Sequence, residues 1–185
     1  MTLTILDPRT ALIVVDLQNA VVALSTAHPT ADVVARSAEL VRAFRSRDLP
    51  VVLVNATGGA PGRTESPRRV AAVQQEGAAD LVAELDAQPG DIYVSKQTWG
   101  AFHNTALHEE LQKRGVTQVV VVGVATSAGV ESTARAAHER GYNVTFATDA
   151  TTDMNADAHE NSVRRIFPRI GETGTAAEVI ALLDA

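Results

Sequence analysis

An acid and a base sit just past two apolar runs of this sequence, and a turn of small residues opens a helical pattern just past a third. Asp16 follows Ala11–Val15 in Ile13-Val14-Val15-Asp16-Leu17-Gln18, and Lys96 follows Ile92–Val94. After Gln118–Gly123 comes Val124-Ala125-Thr126-Ser127-Ala128-Gly129. A carboxylate and an ammonium drawn together away from water shift each other's proton affinity, which is the raw material of acid–base catalysis. A helix start adds amide donors suited to negative charge. Gln18, Thr126 and Ser127 are the polar neighbours expected to contact a substrate. Trp99 and Phe102, in Trp99-Gly100-Ala101-Phe102, either fill core or wall a pocket beside Lys96. Ser127 is a nucleophile by residue type, yet no histidine is near it in sequence and serines at helix starts commonly cap.

Five short β-branched runs must position these groups: Ala11–Val15, Val51–Val54, Ile92–Val94, Gln118–Gly123 and Asn143–Ala147. They are nearly continuous in apolar character, as strands covered on both faces of a parallel sheet are. Amphipathic stretches separate them. Ala31–Arg47 places Val33, Val34, Leu40, Val41 and Phe44 on one stripe, with Thr30 as its expected N-cap. Asn104–Arg114 and Val130–Arg140 repeat the pattern and stop at Gly115 and Gly141. Thr175 and Glu178 have the spacing of a capping box that opens a last helix. Strand and helix alternating in this way predict a doubly wound, Rossmann-like α/β sheet with helices on both faces, formed by residues 1–185 as one domain. In such sheets ligands bind beyond the carboxyl ends of the strands, where Asp16, Lys96 and the Val124–Gly129 turn all fall.

Composition narrows the function classes. The 185 residues carry a net charge of −6, which argues against nucleic acid and anionic membrane as partners and leaves a small-molecule substrate. There is no cysteine, so disulfides, thiolate metal sites and a thiol nucleophile are all removed. Gly58-Gly59-Ala60-Pro61-Gly62 matches neither a dinucleotide fingerprint nor a P-loop, and the five histidines include no i, i+4 pair beside a carboxylate. No nucleotide cofactor and no dedicated metal site are therefore expected. With no apolar run near the roughly 18 residues of a membrane span and no basic-then-apolar leader, the expectation is a soluble, cytoplasmic protein. Asn55–Arg69 is long for a loop and reads as a lid or binding loop. Arg63, Arg68 and Arg69 are either a solvated patch or a grip on a substrate carboxylate.

The segments Ile13-Val14-Val15-Asp16-Leu17-Gln18, Lys96 before Trp99-Gly100-Ala101-Phe102, and Gly123-Val124-Ala125-Thr126 with Ser132-Thr133-Ala134-Arg135 resemble the isochorismatase-like hydrolases of the cysteine hydrolase superfamily. The likeness runs nearly end to end. It implies six parallel strands in the order 3-2-1-4-5-6, the sixth near Arg169–Glu172, and a homo-oligomer (dimer or tetramer). It also implies a non-proline cis peptide at Val124–Ala125, in the turn that forms an oxyanion hole with Gly129. Most members use an Asp–Lys–Cys triad on amides, which would place Asp16 and Lys96 in catalysis and the thiol at Gly129. Glycine there resembles a bacterial subgroup with glycine in place of the nucleophilic cysteine; true isochorismatases also lack the thiol, some with glycine at that position, and hydrolyse a vinyl ether with the aspartate as proton donor. Nicotinamidase-type members hold metal through aspartate and histidine after the second strand, and Asn55–Val70 contains neither. The resemblance leaves two readings: a cysteine-free hydrolase, or a catalytically silent small-molecule-binding homologue.

Overall fold

The protein is described by a computed structural model covering residues 3–65 and 76–184. Arg68, Arg69 and the end of the expected 55–69 loop lie outside those residues. Six strands form one sheet: β1 (Thr10–Val15), β2 (Val51–Ala56), β3 (Ile92–Lys96), β4 (Gln118–Val124), β5 (Asn143–Thr152) and β6 (Glu172–Gly174). Their order is β3-β2-β1-β4-β5-β6 and every pairing is parallel, as the resemblance implies. The chain walks outward from β1 to β3 and then returns to the other side of β1 with β4. The order therefore reverses between β1 and β4, and such a reversal opens a crevice at the carboxyl ends of those two strands.

Among the described residues seven α-helices accompany the strands: α1 (Asn19–Val22), α2 (Thr30–Arg45), α3 (Leu107–Lys113), α4 (Glu131–Glu139), α5 (Ala156–Asn161), α6 (Phe167–Ile170) and α7 (Ala176–Leu183). The pleat of β1 sends Ala11, Ile13 and Val15 into a core shared with α3, α4 and α6. Leu12 and Val14 enter a second core with α2 and α7. All six residues of β1 are buried, which explains why its sequence is an unbroken apolar run. β3 departs from that pattern. It is an edge strand, and Tyr93 and Ser95 face outward between buried Ile92, Val94 and Lys96.

Helix boundaries show where local chemistry overrode periodicity. Pro29, not Thr30, occupies the N-cap position of α2; Thr30 is already helical and its hydroxyl meets that of Thr26 at 2.8 Å. α3 starts later than the apolar spacing suggests, because Asn104 takes a left-handed φ of 54° and Thr105 bonds back to the Ala101 carbonyl. The capping box at Thr175 and Glu178 is formed as expected. β6 falls at Glu172–Gly174 rather than Arg169–Glu172, since Phe167–Ile170 is helical and buried Phe167 stacks on Phe146 at 3.7 Å between ring centres. Gly171 then passes β5 so closely that a Cβ would lie 2.3 Å from the Val144 carbonyl oxygen.

Candidate active site

β1 ends on Asp16, whose backbone turns sharply with φ at 53°, a left-handed value that a short polar side chain tolerates better than a bulky one. One strand over on the far side of β2, the last residue of β3 is Lys96. Their side chains meet across the end of β2: Nζ of Lys96 donates to Oδ2 of Asp16 at 2.7 Å and to the Thr98 carbonyl at 3.2 Å. Both residues are buried, at 8% and 2% exposure. Burial pushes the Asp16 carboxyl from 3.8 up to about 6, although the charge and hydrogen bond of Lys96 pull the other way. Oδ1 of Asp16 is buried and makes no hydrogen bond, and neither does the hydroxyl of Thr98. The site thus holds an acid close to neutrality with one oxygen uncommitted.

The third edge of the site is the turn after β4. Gly123 has φ at 114°, and a Cβ there would lie 2.0 Å from the Val15 carbonyl oxygen, so glycine alone lets β4 approach the end of β1. The Val124–Ala125 peptide is cis, at the bond implied by the resemblance. The chain then enters a wide π-turn, Thr126–Val130, before α4. Within it the amides of Ala128 and Val130 both donate to the Ala125 carbonyl, and the Ser127 amide donates to Asp153, so these three donors are committed inside the protein. Gly129 faces Asp16 directly: a Cβ built on it would sit 3.2 Å from Oδ2 of Asp16 and 3.0 Å from Cγ1 of Val15.

A cavity of about 270 Å³ opens over this floor. Asp16, Lys96, Val124, Ala125, Gly129 and Trp99 all line it, together with Thr98 and Met154. Sequence patterning did not single out Met154, and it read Val21-Val22-Ala23-Leu24 as an apolar face for an interface between subunits; Met154, Val21 and Leu24 complete an apolar wall of the cavity. Met154 follows β5, which runs on to Thr152 after its pairing with β4 jumps from Phe146 to Thr151. That irregular, polar stretch carries no apolar period from which to read a wall residue.

Four expected substrate contacts are placed elsewhere. Phe102 is core, 4% exposed, packed near Tyr142 with Arg140 over its ring. Gln18 is wholly buried and acts as a strut: its amide nitrogen donates to the Ala56 carbonyl while its oxygen accepts from the Ala56 amide, tying the ends of β1 and β2. Thr126 is buried and its hydroxyl pairs with Nδ1 of His159 at 2.8 Å. Ser127 donates its hydroxyl to Oδ2 of Asp153 at 2.7 Å, and no histidine contact to it is formed among the described residues, so the arrangement of a serine nucleophile is missing. Arg63 is exposed and does not line the cavity. Among the described residues no three His, Asp or Glu side chains are grouped as a metal ion needs. Within the same residues no helix is long and apolar enough to cross a membrane.

Comparison with known proteins fits this geometry. The isochorismatase domain family matches residues 10–178. The isochorismatase family protein YwoC of Bacillus subtilis is 37% identical over 185 residues, covering 97% of this chain and 96% of its own. A ureidoacrylate amidohydrolase, RutB of Methylobacterium radiotolerans, is 36% identical over 176 residues, covering 79% of this chain and 68% of its own. The structure of an isochorismatase family protein from Burkholderia thailandensis superposes with a TM-score of 0.92 at 38% identity, covering 98% of each chain. A family match over that span, set on a six-stranded sheet in the family's order with an Asp–Lys pair at its crevice, identifies this chain as a member of the isochorismatase family.

Proposed function

We propose that the protein hydrolyses a small organic substrate without a covalent intermediate, with Asp16 as proton donor. The observation that carries this reading is the buried Asp16, held by Lys96 at 2.7 Å with its second oxygen unbonded, beside Gly129, where a Cβ would lie 3.2 Å from Oδ2. Vinyl ether hydrolysis fits such a floor. Asp16 gives its proton to the terminal carbon of the C=C–O unit, and the oxygen stabilises the cation formed next to it. Water adds to the cationic carbon that bears the oxygen and returns a proton to the Asp16 carboxylate; the adduct's hydroxyl proton then passes to the ether oxygen as the C–O bond breaks, giving a carbonyl compound and an alcohol. No enzyme atom bonds to the substrate, and Gly129 leaves space for the water. Lys96 keeps the carboxylate produced in the first step from being an isolated buried charge.

The pH profile distinguishes donor from base. An acid with pKa about 6 is active in its protonated form, so kcat/KM for a vinyl ether is expected to fall about tenfold per pH unit above about 6. A rise through the same pH would mean that Asp16 removes a proton from water, and the donor role would be abandoned. The test begins with a panel of vinyl ethers and amides assayed by release of carbonyl product or ammonia, and isochorismate belongs on it, read by pyruvate release.

The second reading, a silent binding homologue of the cysteine amidohydrolases, is separated from the first by Gly129→Cys. Its Cβ would crowd Val15 and the Asp16 carboxylate, each of which must give by a few tenths of an ångström. A site built around glycine should lose turnover about tenfold or more and about 1–3 kcal/mol of stability on being overfilled. Gain of amidase activity and of thiol reactivity toward an alkylating reagent would instead mark a retired amidase.

A further inference from the structure

Large apolar side chains exposed singly are ordinary, but several exposed around one cavity mark a place where a ligand or partner sits. Among the described residues four stand exposed: Ile5, Tyr93, Trp99 and Met154. Two of them, Trp99 at 67% and Met154 at 42% exposure, line the one cavity whose floor is the Asp16–Lys96 pair. They come from different elements, the turn after β3 and the turn after β5, on opposite sides of the sheet's midline. Val21 and Leu24 continue the same wall from the segment after β1. The cavity is therefore two-toned, with a buried charged floor and an apolar mouth.

We propose that Trp99 and Met154 select the substrate, and that its class is a molecule with a flat, uncharged apolar body attached to the hydrolysable group. This rests on the proposed function for the floor and adds the chemistry of the mouth. An indole face rewards a flat partner laid on it, and a thioether adapts to the edge of a ring. The lining argues against charge on that body. Lys96 is the sole cation among the described lining residues, and it is already engaged by Asp16. A charge on a body seated against Trp99, Met154, Val21 and Leu24 would give up water with no ionised partner among those residues.

Trp99 is the only tryptophan in the chain, so its fluorescence reports the mouth alone. Binding is followed with three probes: benzamide, acetamide, which has the polar group without the ring, and benzoate, which has the ring with a charge. Benzamide is expected to change Trp99 emission saturably, with acetamide and benzoate at least about tenfold weaker. Met154→Ala should weaken benzamide severalfold, and Trp99→Ala, followed by calorimetry, should weaken it about tenfold. In turnover, benzyl vinyl ether should exceed ethyl vinyl ether in kcat/KM by a similar factor, since the CH₂ group insulates the reacting bond from the ring. Equal binding of benzamide and acetamide, or binding indifferent to both substitutions, overturns the proposal. So does emission that shifts with protein concentration in parallel with the oligomeric state, because Trp99 would then be covered by a second copy of the chain. Saturable benzamide binding with no hydrolysis of any vinyl ether or amide would sustain the mouth's role while removing the chemistry proposed for the floor.

Discussion

Asp16→Asn is expected to abolish turnover and to stabilise the protein at the same time. The substitution keeps shape and an oxygen for Lys96 but supplies no proton of suitable acidity, so kcat should fall about 10²–10⁴-fold, the usual contribution of a positioned acid. Stability moves the other way because the carboxyl is harder to ionise inside the protein than outside: its pKa is about 6 folded against 3.8 unfolded. A carboxyl raised in this sense contributes stability that is fully present below about pH 4 and is lost as the pH climbs through about 6. At pH 8 the ionised Asp16 therefore costs on the order of 3 kcal/mol, even with Lys96 beside it. Urea unfolding at pH 4 and pH 8 checks this. The wild type should lose ground to Asp16→Asn between the two, while the variant's own dependence lacks that component. A variant that is inactive but less stable than wild type at pH 8 would show that the ion pair outweighs desolvation, and the argument from a raised pKa would fail with it.

Gly123→Ala is expected to produce the largest loss of stability of any single methyl addition near the site. The φ of 114° is unfavourable for any residue with a Cβ, and that Cβ would lie 2.0 Å from the carbonyl oxygen and 2.7 Å from the amide nitrogen of Val15. Neither atom is the end of a flexible side chain. Both belong to β1, which is hydrogen-bonded to β2 and β4 and packed on both faces. The only relief is to part β1 from β4 at the crevice. A loss above about 4 kcal/mol, or failure to fold, is the expected outcome, beyond the common range for point substitutions. A denaturant midpoint close to wild type would show that the strands separate easily, and the crevice could no longer be treated as rigid.

The legibility of this site in the sequence followed its distance from the sheet. Asp16 and Lys96 were readable because Asp16 directly follows one apolar run and Lys96 lies two residues past the end of another, and a parallel sheet aligns the ends of such runs. The partnership across β2 needed only the family's strand order. The approach of Gly129 to Asp16 was readable only through the resemblance, and by no periodicity of its own. Phe102 and Gln18 were misplaced because a residue several positions beyond a strand end, six for Phe102 and three for Gln18, has as many ways to turn inward as toward the crevice. Phe102 found Tyr142, and Gln18 found the backbone of β2. Met154 was missed because the end of β5 is polar and irregular, so nothing local marks where its turn points. β6 was displaced because Arg169 and Ile170 were claimed by a helix whose anchor, the stacking of Phe167 on Phe146, is a contact between distant segments.

The full enclosure of β1 bears on how the molecule comes apart. A strand paired along both edges and covered on both faces surrenders its amide protons only when the whole fold opens, whereas turns outside the sheet open locally and often. Asp16 is fastened to that slowest unit, but Trp99 and Met154 ride on segments that belong to no strand. Warming or mild denaturant should accordingly disperse the rim first, leaving an intact acid with nothing to hold a reactant over it.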